Sequence, residues 1–363
     1  MKYIHGGDIY RNRVQLDFSV NINPFGMPPQ AREALLSAVE NSVRYPDIKA
    51  ERLKRTVGEA LGVPDEQLVF GNGASELFMA AVHALRPKKT VIPVPSFAGY
   101  EYAAGAAGGR VLFYERKADS GFLLQEDFFS VLTPDVDLLF LANPNNPTGG
   151  LMDAGFLTKV LKHCRERGIV VILDECFISF CEKGHSMLRA VERFDNLILV
   201  RAFTKIFAIP GVRLGYLVCG NKGLTGRIER QLPEWNLSVY AQEAGCACAG
   251  LRDYVEKTAD YVRRERRFLE KELSRLGLTV FPGQANFILF YSGLPLYGAL
   301  LKRGILIRDC ENFRGLGKGY YRIAVKTEEE NRLFLQVLGE TVENSGGEEK
   351  TDGSKQRPSS GGN

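Results

Sequence analysis

Asp174 closes the apolar run IVVILD, and Lys205 follows the next apolar run, NLILVRA, by three residues. A carboxylate buried at the end of a strand is costly unless a cation meets it. A lysine in a sheltered cleft can shed its proton and become a nucleophile, because burial disfavours the ammonium form. Asn146 lies in NPNNPTG (143–149), Gly73, Ala74 and Ser75 lie in GNGASE (71–76), and Arg213 comes eight residues after Lys205. In GNGASE, which follows the run QLVF, Gly71 and Gly73 permit a tight turn. The backbone amides that open the following helix favour an anion such as phosphate. Singly, each of these is an ordinary turn or surface charge. Together they are an anion-binding turn, an amide, a carboxylate, an amine and a guanidinium placed after apolar runs.

Those runs must put the residues side by side. From about 67 to 219, QLVF, TVIPV, RVLFY, VDLLFLA, IVVILD, NLILVRA and LGYLVCG alternate with amphipathic stretches such as SELFMAAVHAL and DAGFLTKVLKHCRERG. Nearly continuous apolar strands alternating with helices predict an α/β fold with a largely parallel sheet covered on both faces. Ligands in such folds gather at the carboxyl ends of the strands. The last two strands lack an intervening helix, which predicts an antiparallel edge pair. Residues 252–273 read as a long charged helix with a solvated face. LTVFPGQANFILFY, ILIRDC and YYRIAV supply strands for a smaller C-terminal domain. The expected division is an N-terminal arm (1–40) packing on the small domain or a partner subunit, a large domain (41–260), a small α+β domain (261–343) and a disordered tail (344–363).

The 363 residues are 45% hydrophobic and 25% charged, with a formal net charge of +4. Charges of both signs are evenly mixed, so no nucleic-acid partner is expected. No run reaches the ~18 apolar residues of a membrane span, and no secretory leader pattern opens the chain. The seven cysteines (164, 176, 181, 219, 246, 248 and 310) follow no metal-ligand spacing. Reduced thiols, no metal and a cytoplasmic location are the expectations.

NPNNPTG, then DECF, then TK and GVRLG resemble the fold-type I pyridoxal-phosphate (PLP) enzymes of the class I and II aminotransferase family, over most of residues 1–343. The resemblance implies a mostly parallel seven-stranded sheet, PLP as cofactor, and Lys205 as the residue that holds it through a Schiff base. It implies that Asp174 meets the pyridine nitrogen and keeps it protonated. Asn146 is implied to bond the phenolic oxygen of PLP; Gly73, Ala74, Ser75 and Arg213 to hold its phosphate; and Phe97 to stack on its ring. Tyr45, in RYPD, matches a tyrosine that reaches the cofactor phosphate of the neighbouring subunit, which implies a homodimer. Arg322, in YYRIAV, matches the arginine that forks onto a substrate carboxylate.

Two positions depart from the family pattern. Ala202 stands where many relatives have a phosphate-binding serine, so one phosphate hydrogen bond is either missing or replaced by Thr204. Phe177 stands where the aminotransferases usually carry a tyrosine whose hydroxyl bonds the PLP oxygen. That phenylalanine, with HGG (5–7), LDFSVNINPFGMP (16–28) and IRDCENFRGL (307–316), resembles the threonine-phosphate decarboxylases of cobalamin biosynthesis. The resemblance implies decarboxylation of a small phosphorylated amino acid, O-phospho-L-threonine. Its phosphate needs cationic or amide donors beyond those used by PLP, and the candidates are His5, Arg308 and the loop from Asn21 to Asn23, with a surface residue or an ion-pair partner as the other reading of Arg308. Histidinol-phosphate aminotransferase and a decarboxylase preferring O-phospho-L-serine stay open as alternatives. One methyl group in a pocket separates the two phospho-amino acids by only ~1–3 kcal/mol.

Overall fold

The computed structural model describes residues 6–352; His5 lies outside the described residues. Its centre is a seven-stranded sheet. In spatial order the strands are Leu68–Gly71, Gly215–Val218, Leu197–Ala202, Val170–Asp174, Leu138–Ala142, Lys89–Val94 and Arg110–Glu115. All seven predicted runs are present. In Leu138–Ala142, Leu138, Phe140 and Ala142 pack into one apolar cluster while Leu139 and Leu141 pack into another. This period-two division is what a strand covered by helices on both faces requires.

The sheet is parallel except for Gly215–Val218, which runs antiparallel to Leu197–Ala202 on one side and to Leu68–Gly71 on the other. The antiparallel pair therefore forms, but not at the edge. Leu68–Gly71 takes the open side of Gly215–Val218 and becomes the edge strand, running with the parallel core. That placement matters, because it turns GNGASE towards the same end of the sheet as Asp174 and Lys205. Register aligns the ends: Ala142 pairs with Asp174, and Asp174 with Val200.

A second, antiparallel sheet of four strands joins Arg308–Asp309, Tyr320–Ala324, Phe287–Tyr291 and Thr279–Phe281. The N-terminal segment crosses to it. Leu16–Asp17 pairs in parallel with Ile305–Leu306, and the Phe18 ring stacks on Phe334 at 4.7 Å. The helix Pro29–Asn41 returns to pack on Val239–Ala249. Between the two sheets runs the single helix Arg252–Arg275, whose inward stripe is Thr258, Val262, Arg266, Leu269 and Leu273. The expected boundary at 260 falls inside this continuous helix, so both parts of the molecule share it. The last helix, Glu328–Asp352, runs into the stretch from 344 assigned above to a disordered tail; residues 353–363 lie outside the described residues. No helix among the described residues is long and apolar enough to cross a membrane, and all seven cysteines are free thiols.

Asn23 ties these parts together. Its backbone amide donates to the Lys205 carbonyl at 3.1 Å. Its side-chain nitrogen lies 2.6 Å from the Ile206 carbonyl and 3.0 Å from both the Tyr254 and Thr258 hydroxyls. Asn23→Ala should leave a buried acceptor unpaired and cost about 2 kcal/mol, within the ~1–3 kcal/mol of such a loss. A lower urea midpoint with an unchanged slope would register it.

Candidate active site

A cavity of about 290 Å³ opens where the carboxyl ends of the sheet face the N-terminal segment and the second sheet. It brings together Ala74, Ser75, Phe97, Asn146, Asp174, Phe177, Thr204, Lys205, Arg213, Arg308 and Arg322. Gly73 adjoins it as the residue that caps the helix Ala74–Leu85. Two predicted residues are not brought there. Asn23 spends its amide on the anchoring contacts above, and Asn21 of the same loop lines the cavity instead, buried, its Oδ1 without a hydrogen-bond partner among the described residues. Tyr45 is 81% exposed, its ring 4.9 Å from Trp235 beside a wider groove of about 700 Å³ that gathers no comparable set of groups.

Asp174 is the last residue of its strand and is buried. Its Oδ1 accepts from the Cys176 amide at 2.8 Å, and its Oδ2 accepts from the Tyr100 hydroxyl at 2.6 Å. Burial pushes the carboxyl above its ordinary range, while the Cys176 and Tyr100 bonds pull it back down. Tyr100 was not found by sequence reading. It is fully buried, stacked on Phe140 at 5.1 Å, and burial raises its own hydroxyl well above the usual range, so it stays a donor. Its ring meets that of Phe97 at 5.6 Å, but nothing local in the sequence marks its hydroxyl as a partner of Asp174.

Lys205 sits in the short helix Phe203–Ile206 that follows its strand directly. Its amine has no hydrogen-bond partner among the described residues, and burial, with Arg322 next, lowers its pKa. Arg322 is buried, lies 5.2 Å over the Phe287 ring and donates to the Ser19 carbonyl at 3.0 Å and to Asn146 Oδ1. Its Nε has no hydrogen-bond partner among the described residues, and burial brings its pKa down to about 10. Arg308 stands directly opposite Arg322 on the neighbouring strand. It donates to Asn312 Oδ1 at 2.6 Å and to the Asp309 carbonyl.

At the other end of the cavity, Gly73 has φ +83°, and the Arg213 guanidinium occupies the space a Cβ there would need. Gly215 is equally constrained, since its Cβ would lie 2.8 Å from the Ala74 nitrogen. Arg213 therefore lies against the opening of the helix Ala74–Leu85, where unpaired amides and helix dipole already favour an anion. Among the described lining residues, the four cations Lys205, Arg213, Arg308 and Arg322 face one carboxylate, Asp174. These groups fit PLP: an anion cradle, an unpartnered amine, a buried carboxylate for a ring cation, and the Phe97 wall. Ala202 lines the cavity without a hydroxyl, and Thr204 stands close by, buried. Phe177 turns its ring edge onto Phe287 at 5.0 Å, so the hydroxyl expected of an aminotransferase is replaced by packing.

Residues 13–338 match the family described as "Aminotransferase class I and II". The chain is 34% identical over 327 residues to the threonine-phosphate decarboxylase of Salmonella typhimurium, covering 89% of this chain and 90% of that protein. It is also 34% identical to the adenosylcobalamin biosynthesis bifunctional protein CobDQ of Leptospira interrogans, over 89% of this chain and 38% of that one. Among solved structures, the histidinol-phosphate aminotransferase from Clostridium acetobutylicum superposes with a TM-score of 0.86 at 34% identity, covering 91% of this chain and 99% of that one.

In the cofactor-free protein the raised carboxyl of Asp174 has a consequence for stability. The folded state binds that proton more tightly than the unfolded chain, so the ionised group subtracts stability as pH rises above the ordinary ~4 of an unfolded aspartate. Tyr100→Phe keeps the ring stack but removes a donor to the carboxylate, and is expected to enlarge that loss. Urea midpoints between about pH 4 and about pH 8 compare the two proteins; equal loss in both would mean the hydroxyl does not tune Asp174.

Proposed function

The chain belongs to the class I and II aminotransferase family, the PLP-dependent enzymes of fold type I, and we propose that it decarboxylates O-phospho-L-threonine to (R)-1-amino-2-propanol O-2-phosphate, the aminopropanol component of cobalamin. The observation that carries this reading is the buried cross-strand pair Arg308–Arg322. Like charges directly opposite each other on neighbouring strands repel, and among the described residues that line the cavity the one carboxylate is Asp174. An anionic ligand relieves that repulsion. Phosphothreonine brings two anionic groups, a carboxylate and a phosphate, in addition to the phosphate already claimed by Arg213 and the helix start. Histidinol phosphate brings only one.

When bound, PLP supplies an electron sink for the pair released as a bond to the substrate α-carbon breaks. Asp174 would hold the proton on the ring nitrogen, a charge-assisted bond worth roughly 1.5–3 kcal/mol. Arg322 would grip the carboxylate, and Arg308 with Asn21 would grip the substrate phosphate. Fixing both ends turns the carboxylate-bearing bond, rather than the C–H bond, into the direction from which electrons flow into the sink. In this reading the Lys205 amine, once protonated, returns a proton to that carbon after CO2 has left. His5, Gly6 and Gly7 belong to the same reading. The active unit is a homodimer in this proposal, supported by the exposed Leu36, Val39, Val43 and Tyr45 within one short segment of the chain.

A second reading, histidinol-phosphate aminotransferase, is favoured by the similarity to the clostridial enzyme. Purified protein with PLP and O-phospho-L-threonine is expected to release CO2 and aminopropanol phosphate with no 2-oxo acid. Accumulation of pyridoxamine phosphate, with turnover dependent on 2-oxoglutarate, would establish the aminotransferase. Lys205→Ala should lose the cofactor linkage that borohydride reduces in the wild type. Phe177→Tyr should shift the pH at which the bound cofactor's absorbance titrates, because a phenol would then reach the site; an unchanged titration removes this position from the distinction.

A further inference from the structure

Resting on the reading of Arg308 as a phosphate ligand, we propose that residues 309–316 form a clasp that sets selectivity for phosphorylated substrates, with Asn312 and Arg314 as positioning residues for Arg308. Three contacts tie Arg308 to this segment: Asn312 Oδ1 accepts from it at 2.6 Å, the Asp309 carbonyl accepts from it, and its guanidinium lies 5.0 Å over the Phe313 ring. Phe313 in turn lines the active-site cavity. The segment comes from the second sheet but is fastened to the first. Arg314 donates to both oxygens of Glu101, at 2.8 and 3.4 Å, and its guanidinium lies 4.0 Å over the Phe113 ring. At Gly315, with φ +83°, an added Cβ would lie 3.4 Å from the Pro95 nitrogen, in van der Waals contact with the first sheet's loop.

What lies beneath the clasp makes those few contacts decisive. A second cavity of about 310 Å³ separates the segment from the first sheet, lined by Phe97, Glu101, Phe113, Asn312, Phe313 and Arg314. Across this cavity the Arg314 fork and the Phe113 face hold the segment, beside the backbone contact at Gly315 and the packing of Phe313 and Leu316 on the Phe122, Phe281 and Leu289 cluster. Phe97 and Phe313 wall both cavities, so movement of the clasp is transmitted to the substrate end of the site. Glu101 lies in the helix Gly99–Ala106, which also carries Tyr100. The clasp is thus referenced to the element that fixes Asp174. A ligand without a phosphate makes no demand on Arg308, so loosening the clasp should weaken only phosphorylated ligands.

The test uses holoenzyme and compares O-phospho-L-threonine with L-threonine, reading affinity from the cofactor absorbance and KM and kcat wherever turnover occurs. Arg314→Ala and Glu101→Gln are each expected to raise KM for phosphothreonine roughly five- to tenfold, the scale of a partly exposed ion pair joined to a cation–aromatic contact. The kcat should stay within about twofold, affinity for L-threonine should not change, and Arg314→Lys should restore part of the loss. Equal losses for both ligands, or unchanged discrimination in the variants, would overturn the clasp while leaving the proposed reaction standing. A wild type that binds both ligands equally would overturn the clasp together with the phosphate assignment it rests on. Should the enzyme act on histidinol phosphate, the same comparison with histidinol carries the same expectations.

Discussion

Burying like charges together is the constraint on which the rest of this structure turns. Lys205, Arg213, Arg308 and Arg322 share one cavity with the single carboxylate Asp174. The three arginines donate to neutral oxygens: Arg322 to Ser19 and Asn146, Arg308 to Asp309 and Asn312, Arg213 to the carbonyls of Pro210 and Asn72. Carbonyls and amides orient a guanidinium without cancelling its charge. Arg201 shows the contrast. It lies on the strand that leads to Lys205, but Glu175 meets it at 2.8 Å and Ser186 adds a further contact. A neutralised arginine of this kind braces the fold, whereas one oriented by neutral acceptors keeps its charge for a ligand.

Holding such a cluster in place requires a frame that cannot relax away from it. The parallel strands end in register, so Asp174 is fixed by its neighbours Ala142 and Val200. The antiparallel strand Gly215–Val218 presses Gly215 against the start of the helix Ala74–Leu85, and only a residue without a side chain leaves room for that approach. Asn23 then pins the N-terminal segment to the Lys205–Ile206 backbone. The second sheet contributes Arg308 and Arg322 from adjacent strands, so its position relative to the first sheet sets the distance between the two anion sites.

Residues delivered by strand ends were legible in the sequence. An apolar run, a polar residue at its end and a helical pattern after it are local features, and Asp174, Lys205 and the Gly73–Ser75 turn carry them. Residues whose role depends on partners far along the chain were not. Tyr100 looks like one more core aromatic, and only the fold brings its hydroxyl to Asp174, 74 residues away. Asn21 and Asn23 share a loop and a side-chain type, so spacing could not say which faces the cavity; backbone contacts to Lys205 decide it. The antiparallel strand was recognised as such but placed at the edge, because nothing in LGYLVCG reveals that the earlier strand QLVF will close over it. The expected tail boundary at 344 rested on the absence of apolar residues, yet NSGGEE continues the helix begun at Glu328. A polar stretch can extend a helix already nucleated by packing.

Phe177 and Asn146 are best understood together. Phe287 is shared: Phe177 packs an edge against it and Arg322 lies over it. A phenylalanine at 177 therefore does the packing that a tyrosine ring would do, and removes one hydroxyl from the cavity. Arg322 also decides which way round Asn146 sits. By donating to its Oδ1, the guanidinium leaves the amide nitrogen as the end of Asn146 that can serve a ligand oxygen. The arginine that would recognise the substrate carboxylate thus also orients the proposed donor to the cofactor oxygen, and no phenol at 177 shares that task. A carboxylate that draws Arg322 towards itself would weaken its hold on Asn146, so occupancy of the substrate site and the hydrogen bonding of the cofactor are coupled through one guanidinium.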